Sequence, residues 1–357
     1  MARSTDAALL APVTGVARVD RRTKDLAKRI GPGEIAVINH EDLDRVAAET
    51  LVDANVAAVV NAATSITGRY PNLGPLLVAA AGIPLLDGVG PEVMTAVADG
   101  QLVTLRDGDL RVGGQTIASG QRQTMASMED VLAESRKTMG SELERFAENT
   151  LNYIQQEGHL LVDEPDIPDI DIDFKGRHVL IVVRGIDYKD DLMVLRRSGY
   201  LQEMQPILVG VDGGADALLE LGATPDVIIG DMDSVTEHAL QCGAKLVVHG
   251  YADGRAPGSE RLDALGLEHS VFASAGTSED IAMLMAYERG AELIVALGTH
   301  NSMAEFLDKG RAGMASTFLV RMKVGPILVD AKGVNRLYEN RVRKRDLLLL
   351  VLAAVFT

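Results

Sequence analysis

From Gly176 to about Asp330 the chain repeats one unit: an apolar run of strand length, a turn, then a helical pattern. "HVLIVVRG" leads into "LMVLRRSGYLQEM", "QPILVGVDGG" into "ADALLELG", and "DVIIGDMDS" is a third such run. Further strands are predicted at "KLVVHG", "HSVFAS", "ELIVALG" and "GPILVDA". Alternation of strands with helices predicts a mostly parallel, doubly wound sheet. In such a sheet the ligand crevice lies beyond the carboxyl ends of the strands, so those ends are where chemistry is to be sought.

The whole chain has 357 residues, more than one ordinary core holds, and two domains with a connector are expected. Hydrophobic residues make up 47% and aromatics only 4%, which suits α/β architecture better than an all-β sandwich. A formal net charge of −16 argues against nucleic acid as a partner, because a phosphate backbone calls for a basic surface. Cys242 is the single cysteine, so no disulfide framework forms and a reducing, cytoplasmic compartment is expected. The N-terminus lacks a basic start followed by a sustained apolar core, and no secretory leader is expected.

Residues 1–120 form the first region. "EIAVINH" and "VAAVVNA" are strand-length runs separated by a helical pattern over Leu43–Val52, and "QLVTLRDGDLRVGG" is a hairpin announced by Asp-Gly. This order resembles the swivelling β/β/α domain of phosphoenolpyruvate-utilising enzymes, with "LVAAAGIPLLDGVG" and "ADGQLVTLRDGDLRV" carrying the likeness. The phosphorylated histidine of that family would fall at Pro71-Asn72-Leu73-Gly74, where there is none. The resemblance therefore implies a scaffold or docking module without phosphoryl carriage.

Residues 121–175 are a connector helix and linker. Met125, Leu132, Met139, Phe146 and Tyr153 recur every seven residues, whereas Met128, Ser135, Glu142 and Asn149 are mostly polar, giving half a coiled-coil seam. Such a helix either packs on its own domain or makes a homodimer contact. "VDEPDIPDIDIDF" follows, where Pro165 and Pro168 disfavour helix and mark a boundary. Residues 176–335 are the sheet domain, and 336–357 hold "RVRKRD" followed by "LLLLVLAAVF". That apolar run is half of the roughly 20 residues needed to cross a bilayer. Four consecutive leucines leave no polar face, so the start of a transmembrane helix, with the basic cluster on the cytoplasmic side, is preferred over a helix docked on the body.

Three acidic turns follow three of the sheet strands. Asp212-Gly213-Gly214 joins one carboxylate to glycines that let backbone N–H groups approach a phosphate. Asp231 and Asp233, in Gly230–Ser234 ("GDMDS"), reach one metal only if the backbone turns there, and Asp280 stands at a helix start. Singly, each reads as a turn former or cap. Together at one sheet edge they predict a metal–phosphate site, with Asp231, Asp233 and Asp280 as metal ligands. Asp212, Gly213, Gly214, Ser234, Arg184 and Lys189 are the phosphate or nucleotide contacts, and Arg255 and Arg261 flank a loop that can close over a ligand.

"VDGGADALLELGATPDVIIGDMDSV" is similar to thiamine pyrophosphokinase, with its D-G-G-A-N and P-D-x-I-x-G-D-x-D-S signatures. The resemblance implies that Asp212, Asp231 and Asp233 occupy magnesium–polyphosphate positions and that Asp280 stands near the acid of the family's T-D segment. Archaeal pterin pyrophosphokinases share the fold, and their H-A-H-G-D-N stretch is loosely echoed by His249–Gly254. Two departures matter. The lysine three residues past the T-D acid is Met283 here, and the G-G-R-x-D-H motif is replaced by Gly298-Thr299-His300-Asn301-Ser302-Met303. A missing cation of that kind costs several kcal/mol of transition-state stabilisation.

Across its whole length the chain resembles the actinobacterial SteA family of cytokinetic ring proteins. This resemblance implies a homodimer on the cytoplasmic face of the membrane at the division septum, tethered by its C-terminal helix. It also implies a SteB-like membrane coiled-coil partner and a part in controlling peptidoglycan hydrolysis. The expected function is thus a non-catalytic regulator whose degenerate pocket binds a nucleotide or diphosphate with Mg²⁺. The alternatives are an active pyrophosphokinase acting on a thiamine- or pterin-like hydroxymethyl substrate, and a structural pseudo-domain.

Overall fold

The computed structural model describes residues 8–157, 165–251, 253–301, 305–306 and 314–337. It divides into two compact units, one of Met1–Asn149 with Asn301–Gly310 and the other of Thr150–His300 with Arg311–Thr357.

The first unit is built on one mixed sheet. Its strands are β1 (Val13–Val19), β2 (Ile35–Ile38), β3 (Ala58–Asn61), β4 (Leu85–Asp87), β5 (Leu102–Arg106), β6 (Asp109–Val112), β7 (Gln115–Ser119) and β8 (Gln121–Arg122). They lie in the order β7-β6-β5-β1-β2-β3-β4-β8, with β1 to β4 parallel and the flanking strands antiparallel. Helices α1 (Thr23–Leu26), α2 (Arg45–Asp53), α3 (Gly74–Ala80) and α4 (Val93–Ala96) connect them. Alternate residues of β2 and β3 divide between two cores. Ile35, Val37, Ala58 and Val60 enter one, and Ala36, Ile38 and Val59 the other. The loop at the position of a phosphocarrier histidine holds Asn72, whose Nδ2 donates to Ser65 O while its Oδ1 accepts from Gly74 N. Asn72 therefore organises the turn into α3.

The long helix α5 (Met125–Glu157) runs for 33 residues. Near its start Met128 is fully buried and Leu132 is nearly so. Met125 and Met128 pack with Leu9, Leu76 and Ala79 of the same chain, so the first turns of the seam cover their own unit. Further along, Phe146 stacks on Phe306 with centroids 5.9 Å apart.

The second unit is the predicted parallel sheet. Its strands are β9 (His178–Val182), β10 (Ile207–Val211), β11 (Val227–Gly230), β12 (Lys245–Gly250), β13 (Ser270–Ala273), β14 (Leu293–Leu297) and β15 (Leu328–Asp330). Their order is β13-β12-β11-β10-β9-β14-β15, and every pairing is parallel. The winding reverses between β9 and β14, the kind of switch point at which doubly wound sheets bind ligands. The helices are α6 (Tyr188–Arg197), α7 (Tyr200–Met204), α8 (Gly214–Glu220), α9 (Glu237–Leu240), α10 (Pro257–Ala264), α11 (Ser278–Glu288) and α12 (Met314–Val324). One face of the sheet packs against α11, with Ile181, Val209 and Ile229 meeting Ile281 through Ala286. The other packs against α6 and α8 around Leu180, Val182, Leu192 and Leu218. Continuous apolar strands are what burial on both faces requires. The stretch expected to be a linker contributes Ile170 and Phe174 to the α11 core and so belongs to this unit.

No helix among the described residues is long and apolar enough to cross a membrane. The proposed membrane segment within 336–357 lies outside the described residues from position 338 onward.

Candidate functional site

Asp212 and Asp231 come together at the carboxyl ends of neighbouring strands β10 and β11. Gly230 makes that approach feasible. It adopts φ +151°, and a Cβ there would lie 2.0 Å from Asp212 Oδ1. Asp212 (φ +47°) and Met232 (φ +63°) are both left-handed, a conformation that costs a non-glycine residue energy and concentrates at functional sites. Hydrogen bonds from backbone N–H groups hold them there. Asp212 N donates to Ile229 O at 2.9 Å, and Met232 N donates to Asp212 Oδ1 at 3.2 Å. Arg261, from α10, donates to Met232 O and, at 2.9 Å, to Val235 O, strapping the turn that carries Asp231.

The electrostatics follow from this crowding. Burial, followed by the charge of Asp231 and a hydrogen bond with its carboxyl group, pushes Asp212 up to about 7. Bonds from Met232 N and the Ser278 hydroxyl oppose the rise. Two carboxylates in contact hold one proton between them, or else hold a cation. Ser278 opens α11 and also lies 3.5 Å from His249 Nδ1, while His249 Nε2 donates to Ser274 O at 3.1 Å. Burial holds His249 below the usual imidazole range.

Beside Ser278, Glu279 is 3% exposed and faces His300, whose Nδ1 is 2.9 Å from Glu279 Oε2. Contacts therefore link His249 through Ser278 to Asp212 and Asp231, and the Glu279–His300 pair is a separate contact at the same sheet edge. In the sequence His249 and His300 stand only within motif echoes, and no local pattern singles out Ser278 or Glu279.

The other expected residues are placed differently. Asp280 is fully buried and forms a capping box with Thr277; its Oδ2 also accepts from Ser316 and Thr317, at 2.6 and 3.1 Å. Burial, then the charge of Glu279, pushes Asp280 up to about 6. Asp233 is exposed and its backbone N–H donates to Asp231 Oδ1 at 3.0 Å, an Asx turn, with Ser234 half-buried behind it. Among the described residues no group of three or more His, Cys, Asp or Glu side chains is gathered to hold a metal. The trio Asp231, Asp233 and Asp280 is therefore not assembled around one point, because Asp280 faces the hydroxyls of α12. The carboxylate that Asp231 does meet is Asp212.

Gly214 serves packing: a Cβ there would sit 1.9 Å from Val182 O, so glycine lets α8 close onto β9. Arg184 lies over Gly213, with its Nη2 3.9 Å from Asp216 and 3.6 Å from Glu220. Its Nε is buried without a hydrogen-bond partner among the described residues. Lys189 is exposed, 6.0 Å from the Tyr188 ring. Arg255 pairs with Asp253 at 2.7 Å and covers Tyr251. Met283, where the resembling kinases carry a lysine, is fully buried in the α11 core. A separate open cleft of about 780 Å³ lies at the opposite edge of the sheet, between Asp169, Lys245 and His269.

Residues 199–250 match the family described as thiamin pyrophosphokinase, catalytic domain. That span holds β10, β11 and β12 with Asp212 and Asp231. A 6-hydroxymethyl-7,8-dihydropterin pyrophosphokinase from Methanocaldococcus jannaschii is 33% identical over 82 residues, which is 22% of this chain and 34% of that protein. The chain thus spans about a third of the length of the curated relative it matches. A pyrophosphokinase-like catalytic domain is present.

Proposed function

We propose that the carboxyl edge of the second unit's sheet binds a magnesium–polyphosphate, either a nucleotide or another diphosphate. The Asp212–Asp231 contact carries this reading, because two touching carboxylates at the carboxyl ends of adjacent parallel strands are a half-built cation site. The residues fit the group. Asp212 and Asp231 would hold Mg²⁺, and the unpartnered Nε of Arg184 beside Gly213 supplies a donor for a phosphate oxygen. Magnesium, when bound, would neutralise polyphosphate charge. Titration calorimetry with ATP, ADP and thiamine diphosphate tests the reading, with and without Mg²⁺ and with Asp231→Asn in parallel. Magnesium-dependent binding lost in the variant is expected; no binding of any of the three sinks the idea.

We propose further that the site regulates rather than turns over its ligand, because Met283 puts a buried thioether where the resembling kinases carry a lysine. On the whole-chain resemblance, that regulator acts in cell division and cell separation. It would do so as a homodimer at the cytoplasmic face of the septal membrane, with a SteB-like partner. Septal recruitment of a fluorescent fusion in living cells tests this role, and uniform cytoplasmic signal refutes it. The second reading is pyrophosphoryl transfer from ATP to a hydroxymethyl-bearing acceptor, favoured by the match over 199–250. Release of AMP with such an acceptor present would establish it.

A further inference from the structure

We propose that His300, held from behind by Glu279, is a second cation, beside Arg184, that meets a phosphate oxygen of the bound ligand, an assignment that rests on the polyphosphate reading above.

A polyphosphate arriving at this edge meets the negative charge of Asp212, Asp231 and Asp233 and needs more positive charge than one divalent ion brings. Of the cations nominated from the sequence, Arg184 alone keeps a buried donor without a partner among the described residues, its Nε, and the charges of the others are engaged elsewhere or stand on the exposed surface. Arg184 is drawn toward Asp216 and Glu220, Arg255 toward Asp253, and Arg261 is committed to the carbonyls of Met232 and Val235. Lys189 is exposed on α6 beside Tyr188. His249 has its Nε2–H on Ser274 O and is buried, which favours the neutral ring.

His300 differs in what stands behind it. Glu279 is 3% exposed, and its two carboxylate oxygens are each 3.4 Å from His300 N, with Oε2 2.9 Å from Nδ1. A carboxylate so deeply buried calls for a partner of opposite charge, and the imidazole is the side chain it meets. Donation of Nδ1–H to Glu279 fixes the ring and leaves Nε2 as the nitrogen that can face a ligand. The His300 side chain is 17% exposed, so the ring is accessible while its carboxylate is not. The pair stands at the same sheet edge as the acids: Ser278, which bonds Asp212, precedes Glu279 on α11, and His300 follows β14, two strands from β10.

The test is titration calorimetry of the full chain with Mg²⁺ and two probes, inorganic tripolyphosphate and ADP. His300→Gln keeps a similar shape but cannot carry charge, and a weakening of about tenfold or more is expected for both probes. His300→Arg restores a cation and should bind within about threefold of the parent protein. Glu279→Gln should weaken binding as well; if that variant fails to fold, the two His300 variants still decide. A parent protein that binds neither probe overturns the polyphosphate reading and this assignment with it. Parent binding that survives intact in His300→Gln overturns the assignment alone, as does equal loss in His300→Gln and His300→Arg.

Discussion

Replacing Asp231 by Asn should make the ligand-free protein more stable at pH 8 and deprive it of its response to magnesium. Asp212 is raised from its ordinary value to about 7, first by burial and then by the charge of Asp231. At roughly 1.4 kcal/mol per unit, a shift of about three units is worth about 4 kcal/mol. The native state therefore binds more protons than the unfolded chain between about pH 4 and pH 7, and stability falls as pH rises through that window. Burial is the larger cause and Asp231 is itself exposed, so solvent screening leaves the variant a gain of about 1–2 kcal/mol. For a unit of this size that is about 3–6 °C in Tm. Scanning calorimetry at pH 5 and pH 8 reads the effect: the difference should be clear at pH 8 and shrink toward zero at pH 5. Millimolar Mg²⁺ should raise the Tm of the parent at pH 8 by mass action and leave Asp231→Asn unmoved. A variant no more stable than the parent at pH 8, or equally stabilised by Mg²⁺, refutes the shared-proton account.

Gly230→Ala should cost more than about 2 kcal/mol and abolish the magnesium response, because its methyl group collides with the Asp212 carboxylate; urea titration with and without Mg²⁺ checks both. Asp280→Ala removes a helix cap and strands the Ser316 and Thr317 hydroxyls, and denaturation should show a loss of about 2–4 kcal/mol. Asp280→Asn should lose much less. Met283→Lys, which restores the residue type of the resembling kinases, should destabilise by at least about 3 kcal/mol by burying an unpaired ammonium. Gain of AMP-releasing activity in that variant would contradict the placement of Met283 in the core.

The strands of the second unit were legible because burial on both faces writes itself as long apolar runs: Val179–Val182 and Val227–Ile229 have nowhere polar to point. Asp212 and Asp231 were legible for a related reason, since each ends such a run. What the sequence could not disclose is convergence across long separations. Asp280 looks like a ligand until Ser316 and Thr317, 36 and 37 residues later, claim its carboxylate. Arg261 looks like part of a loop that closes over a ligand until its strap to Met232 O, 29 residues back, is seen. Glu279 and His300, 21 residues apart, have no local signature at all. Each of these depends on which helix crosses which strand end, a property of the folded sheet rather than of any window of sequence.

The closeness of Gly230 to the Asp212 carboxylate has an evolutionary consequence. A lineage that keeps the acid is barred from every other residue at position 230, since even one methyl group would occupy the carboxylate's space. A lineage that discards the acid is released from that bar, and drift can then fill the gap with alanine or serine. The two positions should therefore be inherited as a pair and abandoned as a pair, so that the glycine in any descendant records whether its ancestors were still selected for a charge at this edge.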